Sequence, residues 1–171
     1  DLAEGNGMTI VKVGTLDEEF VTESLPGDVF LLGSHAWKIA RVRADRVLVD
    51  APCSGLGTLR RNPDLKFRQS PESVAALTQK QASILRAAAK LLKPGGRLVY
   101  ATCSLLPEEN EAIVEALLAE GGFTLLPVNE LLAQNKIDLD TGAMLRLSPA
   151  VHGTDGFFAA VLVKLALAPI Q

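Results

Sequence analysis

Arg46-Val47-Leu48-Val49-Asp50 is a short apolar run, rich in β-branched side chains and closed by an acid. Unbroken apolar character over so few residues predicts a strand buried in a parallel sheet. A loop rich in Gly, Pro and Asn follows, from Ala51 to Gln69. Ser70-Pro71-Glu72 then reads as a helix start, with an N-cap serine, proline at the first helical position and an acid in the first turn. Val74, Leu77, Ile84, Leu85, Ala88, Leu91 and Leu92 fall largely on one helical face, and Lys93-Pro94-Gly95-Gly96 stops the helix. Arg97–Ala101 is a second strand. Pro107-Glu108-Glu109 opens a second helix that carries Ile113, Val114, Leu117 and Leu118 and ends at Gly121-Gly122. Phe123–Leu126 is a third strand, residues 128–142 a loop with a short helix around Glu130–Ala133, and Ala143–Leu147 and Phe157–Val163 the last two strands. Strands alternating with helices predict an α/β fold with a largely parallel sheet.

Upstream of this run the grammar differs. Met8–Val13, Phe20–Thr22, Val29–Leu32, Trp37–Val42 and Arg46–Val49 are short apolar stretches, separated by Pro26-Gly27-Asp28 and Gly33-Ser34. Their spacing predicts small antiparallel strands. Asp17-Glu18-Glu19 offers one helical turn. The chain thus divides into a β-rich segment, residues 1–45, and an α/β segment, residues 46–171.

Composition narrows the classes. Apolar residues make up 48 % and charged residues 22 % of 171, the balance of a globular chain. No apolar run approaches the roughly 18 residues of a membrane span, and no basic and apolar leader opens the sequence. No membrane association and a cytoplasmic setting are therefore expected. A net charge of −3 argues against a protein that coats nucleic acid, but leaves room for a local basic patch. The two cysteines, Cys53 and Cys103, and the two histidines, His35 and His152, show no metal-ligand spacing, so no metal is expected.

Both predicted parallel strands run into a polar turn that contains a cysteine. One reads Asp50-Ala51-Pro52-Cys53-Ser54-Gly55 and the other Thr102-Cys103-Ser104. Open α/β sheets bind ligands beyond the carboxyl ends of their strands. If the two strands are neighbours, both thiols and the Asp50 carboxylate share one crevice. A free cysteine is more often a small buried hydrophobe than a reagent, and spacing alone leaves both readings open. Arg60, Arg61, Lys66 and Arg68 form a basic cluster after the first turn, either a solvated loop or a set of phosphate contacts. Lys93-Pro94-Gly95-Gly96 is read as a helix stop and Asp155-Gly156-Phe157-Phe158 as a turn before a core strand. His35 and Trp37 are read as surface and packing residues.

Three strings resemble a known family. Asp50-Ala-Pro-Cys53-Ser-Gly-Leu-Gly-Thr-Leu-Arg60-Arg61-Asn-Pro-Asp64 is similar to the fourth motif of the Sun/nucleolar-protein family of RNA cytosine-5 methyltransferases. Tyr100-Ala-Thr-Cys103-Ser-Leu-Leu-Pro-Glu-Glu-Asn110 resembles its sixth motif, and Gly153-Thr-Asp155-Gly156-Phe157-Phe158 its closing strand. The likeness covers roughly residues 45–164. It implies the C-terminal half of a Rossmann-like sheet that uses S-adenosylmethionine to methylate carbon 5 of cytosine in RNA, with ribosomal RNA the expected partner. It further implies that Cys103 is the nucleophile that adds to carbon 6 and that Cys53 assists product release. Asp50 would bind the cytosine edge near ring nitrogen 3, Asp50 and Pro52 would border the cofactor, and Arg60, Arg61, Lys66 and Arg68 would meet RNA.

The same resemblance implies a glycine-rich cofactor loop upstream, of the type Asp-x-Cys-Ala-Ala-Pro-Gly-Gly-Lys, and acids for the ribose and adenine. Residues 1–49 contain none of these, and Gly5-Asn6-Gly7 is not followed by a helical pattern. Residues 8–49 are instead similar to a β-rich segment of large helicase-related proteins, with a seam near Asp45. Two alternatives to the enzyme reading follow: a catalytically silent join of two pieces, and an RNA-binding module without chemistry. A half-sheet also leaves the Arg46–Asp50 strand short of neighbours, which predicts self-association unless residues 1–45 cover it.

Overall fold

The computed structural model describes residues 29–32, 35–38 and 45–166. The stretches 8–13 and 20–22, the turn at 17–19 and Gly5-Asn6-Gly7 lie outside the described residues. Strands β1 (Val29–Leu32) and β2 (His35–Lys38) form an antiparallel hairpin, with Val29 opposite Lys38, that makes its own two-stranded sheet.

From Asp45 onward the chain builds a five-stranded sheet: β3 (Arg46–Asp50), β4 (Arg97–Thr102), β5 (Phe123–Leu126), β6 (Leu145–Leu147) and β7 (Phe157–Lys164). The order is β3-β4-β7-β5, with β6 also paired to β7. The expected largely parallel pairing is corrected here. Only β3 and β4 pair in parallel, while β7 runs antiparallel to β4, β5 and β6. Strands β3, β4, β5 and β6 still point one way, so the α/β reading of the segment holds. Inserting the reversed β7 between β4 and β5 makes the sheet mixed.

The helices are α1 (Leu65–Arg68), α2 (Pro71–Leu91), α3 (Glu111–Ala119), α4 (Val128–Gln134) and α5 (Pro149–His152). Helix α2 starts as its sequence predicts. Ser70 Oγ accepts from Ser73 N–H, Ser73 Oγ accepts from Ser70 N–H, and Pro71 opens the helix. Leu85, Ala88 and Leu92 of the expected face are buried, but Val74 and Leu77 are only half-buried, and the face includes the fully buried Gln81. The helix expected from Pro107 is a 3₁₀ turn, Pro107–Glu109, followed by α3, with a break at Asn110 (φ −113°, ψ −97°).

Sheet register separates two faces. Val49, Tyr100 and Ala160 are aligned across three strands, as are Val47, Leu98 and Leu162, and this face packs under α2 and α3. Tyr100 and Phe158 meet edge to face at 6.3 Å between ring centres. The opposite face carries Leu48, Val99 and Val161, with Asp50 and Ala101 at its end. The expectation that β3 is buried on both sides is therefore corrected: Val49 is buried but Leu48 is 50 % exposed. Among the described residues β3 is the outermost strand, with β4 its strand partner.

Leu162, fully buried on the central strand, should be costly to truncate. Leu162→Ala is expected to lower unfolding free energy by about 2–5 kcal/mol in urea denaturation. Val151→Ala, at a position 77 % exposed, should change it by no more than about 0.5 kcal/mol.

Candidate active site

The parallel register fixes where the two turns begin. Asp50 lies opposite Ala101, and Ala51 N–H donates to the Ala101 carbonyl at 2.9 Å, so both chains leave the sheet side by side. Two and three residues later the thiols meet: Cys53 Sγ and Cys103 Sγ are 3.4 Å apart, both free and both half-buried. The first turn is held over the second. Gly57 N–H donates to the Cys103 carbonyl at 2.9 Å, and Gly156 N–H donates to the Gly57 carbonyl at 2.8 Å. A Cβ on Gly57 would fall on the carbonyl oxygens of Gly156 and Cys103, so only glycine permits this approach.

A buried carboxylate joins the turns from beneath. Glu109 is fully buried. Its Oε1 accepts from Ser54 N–H at 2.8 Å and Gln81 Nε2 at 3.0 Å. Its Oε2 accepts from Ser54 Oγ and from Ser104 Oγ, each at 2.5 Å. The break at Asn110 turns Glu109 inward, and side-chain bonds hold the segment in place. Tyr100 Oη donates to the Glu109 carbonyl at 2.6 Å, and Asn110 Nδ2 donates to the Ser104 carbonyl at 3.0 Å. Gln81 Nε2 also donates to the Pro52 carbonyl at 2.9 Å, tying α2 to the first turn.

The two thiols differ in acidity. The Cys53 thiol beside it, as hydrogen-bond donor, brings Cys103 down to about 7 from 9.0, against burial and the negative charges of Asp50 and Glu109. Cys53 is pushed far up, by the same hydrogen bond first and then by burial and the charge of Cys103. The hydrogen bond between them thus favours ionisation of Cys103 over that of Cys53. Asp50 is exposed at the strand end, within electrostatic reach of Cys103. Pro52 is half-buried between Asp50 and Cys53.

The basic cluster is engaged in local contacts. Arg60 and Arg61 both pair with Asp155, at 3.4 and 2.5 Å, and link the first turn to the chain entering β7. Arg68 pairs with Asp64 at 2.6 Å, and Lys66 lies 4.8 Å from the centre of the exposed Phe67 ring. A groove of 660 Å³ lies alongside, bordered by Leu56, Leu59, Lys66, Val74, Leu106 and Glu108. His35 and Trp37 fall on β2, and His152 Nδ1 accepts from Ser148 N–H at 3.1 Å.

Glu109, Gln81, Ser54 and Ser104 were not legible as site residues. A signal existed: each cysteine is followed directly by a serine, and both serines reach one acceptor.

These features define an α/β domain with two thiols in contact at the carboxyl ends of adjacent parallel strands. Comparison with known proteins makes the class particular. Residues 29–163 match the family of the 16S rRNA methyltransferase RsmB/F, and the chain belongs to that family. It is 47 % identical over 121 residues to the probable ribosomal RNA small subunit methyltransferase B of Synechocystis sp., covering 70 % of this chain and 27 % of that protein. The Bacillus subtilis protein of the same name is 35 % identical over 166 residues, covering 96 % of this chain and 34 % of that one. The crystal structure of NSun6 from Pyrococcus horikoshii with SFG superposes with a TM-score of 0.63 at 29 % identity, covering 90 % of this chain and 34 % of that one. The chain therefore spans about a quarter to a third of the length of these relatives.

Two predictions follow from the geometry. Glu109→Ala leaves four buried donors without their acceptor, and is expected to lower stability by roughly 3 kcal/mol in urea denaturation. Alkylation of Cys103 by iodoacetamide should rise with pH around a midpoint of about 7. In Cys53→Ala the thiolate loses its donor, so the midpoint should move up toward the ordinary thiol value. An unchanged midpoint would exclude Cys53 as the cause.

Proposed function

We propose that this chain supplies the catalytic centre of an S-adenosylmethionine-dependent methyltransferase acting on carbon 5 of cytosine in RNA, with ribosomal RNA the substrate and the cytoplasm the setting. The observation that carries this reading is the contact of Cys53 with Cys103, one thiol made acidic by the other. Membership of a family described by 16S rRNA methylation supports the substrate class.

Carbon 5 of cytosine is a weak nucleophile. The Cys103 thiolate adds to carbon 6, and the ring becomes enamine-like, with electron density at carbon 5. S-adenosylmethionine supplies the methyl group. Asp50 meets the cytosine edge near ring nitrogen 3 and stabilises charge as the adduct forms. Once the Cys103 sulfur is bonded to carbon, two of the three effects that raise Cys53 vanish, namely the hydrogen bond to Cys103 and its charge. Cys53 becomes easier to deprotonate at the stage where the carbon 5 proton must leave. Loss of that proton restores the ring double bond and expels Cys103.

The residues present fit one side of a cofactor site. Asp50 is an exposed acid at a parallel strand end, suited to a cationic amino-acid moiety, and Pro52 would border it. A neighbour solved with SFG, an S-adenosylmethionine analogue, supports the choice of cofactor. Arg60, Arg61, Lys66 and Arg68 would meet phosphates, with Arg60 and Arg61 exchanging Asp155 for the RNA backbone. The target base must leave its stack to reach Cys103. The division near Arg46 and the helicase-related likeness of residues 8–49 belong to this proposal. The family match, beginning at residue 29, extends across that division.

The test is covalent trapping. The chain is incubated with ribosomal RNA and S-adenosylmethionine and run on a denaturing gel. Cys53→Ala should accumulate a protein–RNA adduct that Cys53→Ala/Cys103→Ala does not form. No adduct and no methyl transfer would overturn the reading. Calorimetric titration with S-adenosylmethionine separates the steps, since binding without an adduct locates the failure in the thiols.

A further inference from the structure

The two thiols are the chain's only cysteines, and the contact that the proposed mechanism uses to make Cys103 acidic also puts a second sulfur within its reach. They are 3.4 Å apart, unlinked and half-buried, so a small molecule in solvent reaches them. We propose that Cys53 and Cys103 are a peroxide-sensitive modification site, at which a reversible disulfide forms and removes the Cys103 nucleophile.

The geometry favours closure. Both cysteines sit just past the paired positions Asp50 and Ala101, on turns fixed by Ala51–Ala101 and Gly57–Cys103 backbone bonds. Closure shortens the sulfur separation from 3.4 Å to a bond of about 2.05 Å between turns already held together. The shared Glu109 clamp keeps the turns from separating first.

The steps balance with one hydroperoxide as oxidant. The Cys103 thiolate attacks a peroxide oxygen; the S–O bond forms, the O–O bond breaks, and the departing hydroxide takes a proton to become water. The sulfur, oxidised by two electrons, is a sulfenic acid. The Cys53 sulfur then attacks the Cys103 sulfur; the S–S bond forms, the S–O bond breaks, and the hydroxide leaves with the Cys53 proton as a second water. Cys53 is thus the resolving thiol, and it diverts Cys103 from irreversible sulfinic acid. Disulfide formation itself does not depend on the methylation reading; the loss of activity it causes does.

The test is intact mass measurement of the 171-residue chain after substoichiometric hydrogen peroxide, followed by iodoacetamide. The expected product is a monomer lighter by about 2 Da that takes no alkyl group, and dithiothreitol should restore two alkylations. Cys53→Ser, which keeps the size and a donor, should instead gain one or two oxygens, about 16 or 32 Da, with no loss of mass. Oxygen gain in the unmodified chain, two thiols still open to alkylation, or disulfide-linked dimers as the main product would each overturn the proposal.

Discussion

The site depends on one buried carboxylate. Both carboxyl oxygens of Glu109 are met by hydrogen-bond donors, four in all and two on each oxygen. Those donors come from three separate stretches: Ser54 after β3, Ser104 after β4 and Gln81 in the middle of α2. A buried charge costs several kcal/mol unless such partners surround it, so the three stretches are bound to the arrangement that satisfies it. The cysteines precede the two serines. Whatever fixes Ser54 and Ser104 to one acceptor also fixes Cys53 and Cys103 to one another.

Sheet register supplies the rest of the positioning. The parallel pairing of β3 with β4 brings two strand ends to one rim, which antiparallel neighbours would not do. The period-two alternation then sorts functions by face. Tyr100 and Thr102 point to the helix-covered side, where Tyr100 holds the Glu109 backbone and Thr102 Oγ1 donates to Asn110 Oδ1. Asp50 ends β3 on the other side, where it remains exposed to solvent while its charge still reaches Cys103. Glycines complete the rim, because the Gly57–Gly156 approach leaves no room for a side chain on either residue.

Much of this was legible locally. The capped start of α2, its stop at Lys93-Pro94-Gly95-Gly96 and strands over 97–101, 123–126 and 157–163 follow from short-range patterns, whereas the meeting of the two thiols follows only from β3 and β4 being neighbours. What was not legible depends on partners distant in sequence. The antiparallel placement of β7 between β4 and β5 is a matter of pairing, to which an apolar run of eight residues is indifferent. Glu109 reads as a first-turn acid of a helix because acids belong there; only the break at Asn110 turns it inward. Gln81 reads as an interruption of an apolar face, since its partners, Pro52 and Glu109, lie 29 and 28 residues away. Arg60 and Arg61 read as free charge because Asp155 lies some 95 residues later.

One shared proton links the chemistry to its vulnerability. On the proposed mechanism a thiolate adds to an electron-poor ring carbon, and the group beside Cys103 that favours its ionisation is another thiol rather than a histidine or lysine. A cationic donor would lower the sulfur's pKa with its charge. A thiol donor lowers it by hydrogen bonding alone, and regains basic character when the first sulfur is consumed in a bond to carbon. The same economy places a second sulfur within reach of any oxidised first one. A histidine in place of Cys53 would remove the disulfide route and leave a sulfenic acid at Cys103 with no partner in the chain. On the two proposals taken together, the contact of the sulfurs at 3.4 Å serves both turnover and recoverable oxidation.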